Sequence, residues 1–292
     1  MSAAPGRSQA SSHRSAQHEG TPVGTAPLPF FVERGTGDTA VFMLHGVGGG
    51  HRAFDGTLPS VAQADYHAVV WDAPGYGKST ANEALSMDVF ADSLLGLIKH
   101  VGAKRSVVLG HSMGGMIAQE AYRRQPAAID GLVLFATSAA FGKPGGDWQQ
   151  EFLQSRFAAL DAGLGMAGLA PVLVGGMLAI GSRPQVRSAA VELMSKVPEE
   201  TYRAALAAIV SFNRLENLPH INVPTLCLAC DEDKTAPPAV MEKMAQKMPN
   251  AQYQCLAHAG HLGNLEQPHA FNAAMLDYLR KNFPMKLSAK EQ

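Results

Sequence analysis

Short runs of apolar residues recur along the chain, and most of them end in glycine, serine, histidine or aspartate. The runs are continuous rather than alternating, which is typical of strands buried on both faces of a sheet. Because such strands occur mainly in parallel sheets, a mostly parallel central sheet is predicted. The predicted strands are Phe30–Arg34, Val41–Leu44, His67–Asp72, Ser106–Leu109, Leu132–Phe135, Pro224–Ala229 and Tyr253–Leu256.

Stretches with helical spacing of apolar residues lie between these runs. Strands that alternate with helices indicate an α/β fold with right-handed crossovers. In such folds ligands bind beyond the carboxyl ends of the strands, so function is expected where the runs end. The predicted helices of this core are Asp88–Ile98, Met116–Arg124, Val240–Lys247 and Ala270–Lys281.

The alternation stops between Ser138 and Pro219, where no strand-like run occurs. This segment instead has three helical patterns joined by glycine-rich pieces. A helical lid is therefore predicted at residues 139–219, inserted into a core of residues 28–138 and 220–285. The helical patterns of the lid are Trp148–Leu160, Gln185–Lys196 and Glu199–Phe212.

Residues 1–27 contain mainly small and polar residues without apolar periodicity. Such a segment cannot bury enough surface to offset the entropy that it loses on ordering, so a disordered tail is predicted. A transit peptide is the alternative, because the segment contains serine and arginine and few acidic residues, although it lacks an amphipathic pattern.

Composition narrows the class of protein without naming a reaction. The chain has 292 residues, 46 % of them hydrophobic and 17 % charged, with a formal net charge of −1. This near-neutral balance argues against nucleic-acid partners, and no run reaches the roughly 20 apolar residues that span a bilayer. The few cysteines indicate a reducing, cytoplasmic compartment. Cys227 and Cys230 are three positions apart on a predicted strand, so their side chains face opposite ways and no redox or zinc pair is expected.

A candidate nucleophile stands where a predicted strand meets a predicted helix. Gly110–Gly114 reads Gly-His-Ser-Met-Gly and directly follows the strand that ends at Leu109. This G-x-S-x-G motif forms a tight strand-to-helix turn that projects the serine hydroxyl into a cleft. The flanking glycines make room for the turn because they carry no side chain. Ser112 is therefore the predicted nucleophile.

A nucleophilic serine needs a base to accept its proton. His261 follows the last predicted strand and precedes the final helix, which places it at the expected edge of the sheet. His258 lies three residues earlier and is the rival candidate. No cofactor or metal is needed for this chemistry, and none is predicted.

The base in turn needs an acid to orient it, and two aspartates follow the strand that ends near Ala229. Asp233 is favoured because its position in the loop gives it reach toward the base, and Asp231 is the alternative. The earlier stretch from Ala136 to Phe141 has no carboxylate that could serve instead. The order serine, aspartate, histidine along the chain is that of α/β-hydrolases.

The oxyanion that forms during attack on a carbonyl needs two hydrogen-bond donors. The amide of Met113, directly after the nucleophile, is one candidate. The second is expected in the glycine-rich loop His45–Gly50, whose small residues let the backbone approach a substrate. A phosphate-binding loop is excluded, since no G-x-x-x-x-G-K-[ST] pattern is present.

Together these residues resemble the α/β-hydrolase superfamily from residue 30 to residue 283, apart from the lid. The chain departs from the pattern at Cys230, where many members carry glycine, and this bears on the choice of the acid. The motifs that carry the resemblance are His45-Gly46, Asp72–Ser79, Gly110–Gly115, Val223–Leu226, Asp233 with Pro237, and Gly260-His261 with Glu266–Pro268.

The resemblance implies a serine esterase or enol-lactone hydrolase that forms an acyl-enzyme on Ser112. It places the second oxyanion amide at Val47. The expected partner is a small, largely apolar ester or lactone. The residues expected to contact it are His45, Gly46, Gly48, His111 and Leu262.

Proteins with other activities have the same fold and similar motifs. Meta-cleavage C–C hydrolases usually have asparagine before the nucleophile and tryptophan after the catalytic histidine, where this chain has His111 and Leu262. Cofactor-free perhydrolases or haloperoxidases and non-catalytic receptors are further alternatives. Arg156, Arg183 and Arg187 of the predicted lid are candidates to meet a substrate carboxylate, or they lie on solvated helix faces.

Overall fold

A computed structural model describes the backbone of residues 17–18 and all of residues 28–142 and 147–285. Within them lies one sheet of eight strands, the first of which has only two residues. Apart from this strand, the predicted tail lies outside the described residues. The strands are β1 (Gln17–His18), β2 (Phe31–Arg34), β3 (Thr39–Leu44), β4 (His67–Trp71), β5 (Arg105–His111), β6 (Gly131–Phe135), β7 (Thr225–Cys230) and β8 (Ala251–Leu256).

The strand order is β1-β2-β4-β3-β5-β6-β7-β8. β2 pairs antiparallel with β1 and β4, and every other neighbouring pair is parallel. The predicted α/β fold with a mostly parallel sheet is therefore confirmed. The parallel arrangement brings the carboxyl ends of β3, β5, β6, β7 and β8 to one edge of the sheet.

Both faces of the sheet are buried, which explains the continuous apolar runs. Phe42 and Val108 pack into the core on one face, and their neighbours Val41 and Val107 pack into the core on the other. Cys227 and Cys230 likewise lie in the two opposite cores, and both thiols are free.

Helices cover the two faces and one end of the sheet. No helix in the described part of the chain is long and apolar enough to cross a membrane. The helices are α1 (Leu58–Gln63), α2 (Met87–Val101), α3 (Met113–Arg124), α4 (Asp147–Asp161), α5 (Gly165–Met177), α6 (Pro184–Ser195), α7 (Glu199–Val210), α8 (Pro238–Ala245), α9 (Gly263–Glu266) and α10 (Pro268–Asn282). Short 3-10 helices occupy His51–Phe54, Pro126–Ala128 and Leu215–His220.

Four of these helices, α4 to α7, lie between β6 and β7 along the chain. We call residues 139–219 the helical insertion. Its described residues contribute no strand to the sheet, and their only β pairing is an isolated bridge between Ala140 and Asn213.

The short helices α1 and α9 were not predicted, and two of the longer helices differ from the prediction in ways that bear on the site. α3 begins at Met113, three residues before the predicted start, because the Ser112 carbonyl already accepts hydrogen bonds from the Gly115 and Met116 amides. α5 was expected to be a glycine-rich connection, yet it is a helix of 13 residues with Pro171 inside it. Its buried residues recur at helical spacing, so burial of one face outweighs its poor helix propensity. They are Met166, Leu169, Ala170, Leu173 and Val174.

Candidate active site

Ser112 lies on the sharp turn between β5 and α3. Its backbone has φ 52° and ψ −115°, a conformation that L residues rarely adopt and that costs of order 1–3 kcal/mol. Two contacts hold it: the Ser112 amide donates to the Phe135 carbonyl at 2.9 Å, and the Thr137 hydroxyl donates to the Ser112 carbonyl at 2.7 Å. The surroundings therefore impose the strained turn that the motif predicted.

The two glycines that flank the turn are required by close packing of backbone. A Cβ atom on Gly110 would lie 2.3 Å from the Gly114 carbonyl oxygen, and one on Gly114 would lie 2.4 Å from the Leu44 carbonyl oxygen. Backbone cannot yield as a flexible side chain can. Glycine at both positions is therefore a packing requirement of the turn.

His261 links Ser112 to Asp233. Its Nε2 lies 2.9 Å from the Ser112 Oγ, and its Nδ1 lies 2.8 Å from the Asp233 Oδ2. An ionised carboxylate can only accept a hydrogen bond, so Nδ1 carries the proton and Nε2 is left free to accept the proton of the serine hydroxyl. The structure thus brings the predicted nucleophile, base and acid together in one hydrogen-bonded chain.

Asp233 is buried, with 3 % of its surface exposed, and both of its oxygens are used. Oδ2 accepts from His261, and Oδ1 accepts from the amides of Thr235 at 2.7 Å and Ala236 at 2.9 Å. Burial by itself would raise the pKa of Asp233, but these hydrogen bonds outweigh it and hold the pKa below its ordinary value. The carboxylate therefore stays charged beside the imidazole.

Asp231, the alternative acid, and His258, the alternative base, are not part of this hydrogen-bonded chain. The carboxylate of Asp231 accepts from the amides of His258 at 3.0 Å and Ala259 at 3.1 Å, and it has no contact with the imidazole of His261. His258 is exposed and has its own backbone in the left-handed region, at φ 54°. Asp231 thus shapes the loop that carries His261.

His45 was expected to contact substrate, and the structure corrects this. Its side chain is fully buried and does not line the cavity described below. Nε2 accepts a hydrogen bond from the Ala73 amide at 3.0 Å, so Nδ1 is the protonated nitrogen that donates to the Gly46 carbonyl at 2.8 Å. His45 instead fixes the start of the loop that contains Val47.

Asp72, which the family motif contains but to which no function was assigned, holds the other end of this loop. Its buried carboxylate accepts from the His51 amide at 2.7 Å, the His51 Nδ1 at 2.9 Å and the Lys78 amide at 3.0 Å. Burial opposes ionisation of Asp72, but the hydrogen bonds prevail and its pKa is lowered. Two buried anchors, His45 and Asp72, therefore determine the path of the loop.

Val47 and Met113, whose amides are the predicted oxyanion donors, both lie at the cavity that contains Ser112. Both residues line the cavity beside Ser112, and neither amide donates a hydrogen bond within the described part of the chain. The loop approaches the nucleophile closely: a Cβ on Gly46 would lie 3.2 Å from the Ser112 Cβ. The two amides are thus free donors at the cavity beside Ser112.

A cavity of about 480 Å³ opens over Ser112, between the carboxyl edge of the sheet and the helical insertion. Four of the five residues expected to contact substrate line it, namely Gly46, Gly48, His111 and Leu262. The insertion supplies much of the apolar wall, including Phe152, Val172, Leu173, Met177, Leu206 and Ile209. Among the described residues, no cluster of three or more histidine, cysteine or carboxylate side chains could hold a metal ion.

Glu266 joins the helical insertion to the loop that carries His261. Its buried carboxylate accepts from the amides of Gly260 at 2.8 Å and Ala179 at 2.7 Å, and from the Ser182 hydroxyl. The His261 amide also donates to the carbonyl of Met177 at 2.7 Å. The end of α5 therefore supports the loop of His261 directly, which the sequence pattern did not reveal.

His111 supports His261 from its other side. The His111 Nε2 donates to the His261 carbonyl at 2.8 Å, and the two rings are 5.0 Å apart. Burial lowers the pKa of His111 to about 3, with the nearby His261 acting in the same direction. The imidazole therefore stays neutral and its single N–H holds the backbone of His261.

This neutral histidine has a consequence for stability below pH 6.5. The unfolded chain takes up a proton at its ordinary pKa of about 6.5, whereas the folded chain does so only near pH 3. Folding therefore loses free energy as the pH falls, by about 2 kcal/mol between pH 7 and pH 5 from this group alone. We expect His111→Gln to remove this part of the loss, as measured by urea unfolding at pH 7, 6 and 5.

A control variant separates this effect from general titration. His220 is exposed, and His220→Gln is expected to keep the wild-type pH dependence. If His111→Gln loses as much stability as the wild type between pH 7 and pH 5, the neutral buried state of His111 is wrong.

Comparison with known proteins agrees with this geometry. Residues 41–274 match the alpha/beta hydrolase family. A Mycobacterium tuberculosis protein provisionally named non-heme bromoperoxidase BpoC is 27 % identical, over 85 % of this chain and 96 % of that protein. A thermophilic esterase from Thermogutta terrifontis superimposes with a TM-score of 0.80 at 25 % identity, covering 92 % of this chain and 98 % of its own.

A further solved structure supports the fold alone. The enol-lactonase of Burkholderia xenovorans gives a TM-score of 0.77 at 22 % identity, over 85 % of this chain and 95 % of that one. The match to the family model, over residues 41–274, includes Ser112, Asp233 and His261. The chain belongs to the alpha/beta hydrolase family.

Proposed function

We propose that this hydrolase cleaves carboxylic esters or lactones through a covalent acyl-enzyme on Ser112. The observation that carries the proposal is the unbroken hydrogen-bonded chain from the Ser112 Oγ through His261 to Asp233, at the floor of an apolar cavity. A lactone is an ester closed into a ring, so the same groups serve both substrates.

In the first half-reaction the Ser112 Oγ attacks the carbonyl carbon of the ester and His261 Nε2 takes the hydroxyl proton. The negative charge on the former carbonyl oxygen is stabilised by the amides of Val47 and Met113. Asp233 stabilises the imidazolium that forms. His261 then returns the proton to the leaving oxygen as the ester bond breaks, and the acyl group stays on Ser112.

In the second half-reaction a water molecule attacks the acyl carbon, with His261 as its general base. The same two amides donate hydrogen bonds to the oxyanion that forms a second time. Collapse of the intermediate breaks the bond to Ser112 Oγ, which recovers its proton from His261. The products are a carboxylic acid and the free enzyme.

The cavity supports a small, largely apolar substrate. Its walls are mostly aliphatic and aromatic side chains, and the helical insertion is proposed to act as the lid that encloses them. Family membership supports hydrolysis in general. The similarity to the Thermogutta terrifontis esterase supports an ester as the bond that is cleaved.

A perhydrolase reaction is the second candidate, because of the similarity to the protein named as a bromoperoxidase. It would use the same acyl-enzyme, with hydrogen peroxide in place of water as the attacking molecule and a peracid as product. Hydrolysis of a C–C bond is a third candidate. Hydrolases of that kind usually have asparagine and tryptophan where this chain has His111 and Leu262.

Covalent trapping tests the proposal. The protein is incubated with a panel of aryl esters, lactones and a fluorophosphonate, and tryptic peptides are analysed by mass spectrometry. We expect the fluorophosphonate adduct and a transient acyl adduct on the peptide that contains Ser112, with acid release from the esters. Addition of hydrogen peroxide shows whether peracid forms instead. An absence of any Ser112 adduct would support a non-catalytic binder and refute the proposal.

A further inference from the structure

The charged side chains of the cavity wall are of one sign. Histidines apart, Arg156 and Lys234 are the charged residues among the described residues that line the cavity, and no aspartate or glutamate is among them. A wall of this kind raises the local concentration of anions and disfavours cations.

Arg156 is half-buried on α4, and its guanidinium lies 5.1 Å from the centre of the Phe152 ring. Within the described part of the chain it has neither a hydrogen bond nor an ion pair. The neighbouring arginine behaves differently, since Arg203 pairs with Asp161 at 2.6 Å and with Glu199 at 2.8 Å. The carboxylates of Asp161 and Glu199 are thus already bound by Arg203, and Arg156 is left available to a ligand.

Tyr202 of α7 supplies a second donor in the same cavity. Its side chain is 2 % exposed, and its hydroxyl makes no hydrogen bond to a described residue. Burial raises the pKa of Tyr202 to about 12, and the positive charge of Arg156 opposes that rise. The phenol is therefore a neutral hydrogen-bond donor in the cavity that Arg156 also lines.

Lys234 differs from Arg156 in its position. It follows Asp233 directly and is exposed at the rim of the cavity, on the core side. Arg156 and Tyr202 belong to the helical insertion, whereas Ser112 belongs to the core that forms the rest of the cavity. A ligand that bridges the core and the insertion would meet the candidate nucleophile on the core side and the arginine on the insertion side.

From this arrangement we propose that the substrate is an ester that also carries a carboxylate. The carboxylate binds the guanidinium of Arg156 and the hydroxyl of Tyr202, the apolar middle lies against the wall, and the ester carbonyl reaches Ser112. The inference rests on the proposed function and adds the substrate class to it. A carboxylate fits better than a phosphate dianion, because one arginine and one neutral phenol balance a single negative charge.

Two esters with acyl groups of equal length test this. Mono-p-nitrophenyl adipate carries a terminal carboxylate, and p-nitrophenyl hexanoate ends in a methyl group. Removal of a charge-assisted hydrogen bond is expected to cost about 10- to 100-fold in binding. We therefore expect Arg156→Met to lower kcat/KM for the adipate ester by about 10- to 100-fold, mainly through KM, with the hexanoate ester changed by less than about 3-fold.

Matched variants exclude a general loss of charge or packing. Arg156→Lys keeps the positive charge but lacks the planar guanidinium, which can bind both oxygens of a carboxylate. It is expected to recover part of the kcat/KM that Arg156→Met loses for the adipate ester. Arg183 lies on the same insertion, is exposed and does not line the cavity, so Arg183→Met is expected to leave both esters unaffected. If Arg156→Met weakens both esters equally, or if Arg183→Met has the same effect, the inference is wrong.

A binding measurement decides the matter independently of hydrolysis. Monomethyl and dimethyl esters of glutarate, adipate and suberate are titrated calorimetrically into Ser112→Ala, with and without Arg156→Met. Tighter binding of a monomethyl ester that depends on Arg156 supports the inference. An absence of such binding overturns it. If neither nitrophenyl ester is turned over but the Arg156-dependent binding is present, the proposed reaction fails while the carboxylate site stands.

Discussion

Replacement of Ser112 by alanine is expected to lower kcat for p-nitrophenyl butyrate by about 10⁴-fold or more, to near the rate in buffer. The hydroxyl is the atom that would form the covalent bond, and alanine carries no group that could form it instead. Removal of a nucleophile of this type costs about 10⁶-fold in a well-studied serine protease, and the oxyanion donors keep only a residual acceleration. The measurement is the rate of p-nitrophenol release at saturating ester.

The fold of Ser112→Ala should be unaffected, because the backbone bonds of the turn persist and the lost side-chain contact is the one to His261. Thermal unfolding by circular dichroism checks this. Ser138 lines the same cavity but donates its hydroxyl to the Ala140 carbonyl, so Ser138→Ala serves as the control and should stay within about 10-fold of wild type. Turnover by Ser112→Ala close to that of Ser138→Ala would place the nucleophile elsewhere.

Replacement of Asp233 by asparagine is the second large effect, with an expected fall in kcat of about 10⁴-fold. In the unmodified protein the carboxylate of Asp233 fixes the proton of His261 on Nδ1 and would stabilise the imidazolium. An amide can present its NH₂ group to that nitrogen, which favours the tautomer with its proton on Nε2 and removes the base from Ser112. The measurement is kcat for the same ester, together with the extent of fluorophosphonate labelling.

Asp231→Asn is the matched control for this change, since Asp231 stands two residues away. Its carboxylate accepts only backbone amides of the loop, and an asparagine oxygen can replace one of these bonds. We expect a change in kcat of less than about 10-fold, accompanied by a small loss of stability. The reverse order of effects between the two variants would transfer the acid function to Asp231.

Several features followed from local sequence. The continuous apolar runs predicted β3, β4, β5, β6 and β7, because a strand buried on both faces needs apolar side chains at every position. The turn at Ser112 was predicted from the local G-x-S-x-G motif, although the backbone that restricts Gly114 to glycine belongs to Leu44 on another strand. Both kinds of signal lie within a few consecutive residues.

The choice between the two candidate acids depended on tertiary structure. Asp231 and Asp233 share one loop, and the sequence favoured Asp233 only by its reach, with Asp231 as the alternative. Their different environments arise because Asp231 turns to the amides of His258 and Ala259, whereas the amides of Thr235 and Ala236 hold Asp233 toward His261. These contacts depend on where the loops after β7 and β8 meet, which no local pattern encodes.

The helical insertion shows the limit of sequence patterns more clearly. α5 was missed because its four glycines and one proline suggested a connection, although its buried stripe at 166, 169, 170, 173 and 174 had helical spacing. The anchoring of this helix by Glu266 joins positions 87 residues apart. Such a contact becomes visible only once the chain has folded.

The sequence by itself determined the α/β architecture and pointed to Ser112 and His261 as candidate nucleophile and base, because buried strands and a strained turn restrict the residue types that fit. The tertiary structure decided which aspartate contacts His261, that His45 anchors the loop that contains Val47, and which of three arginines of the helical insertion lines the cavity. These depend on the meeting of loops and helices distant in sequence, where burial and hydrogen-bond partners, rather than residue type, determine what each side chain can do.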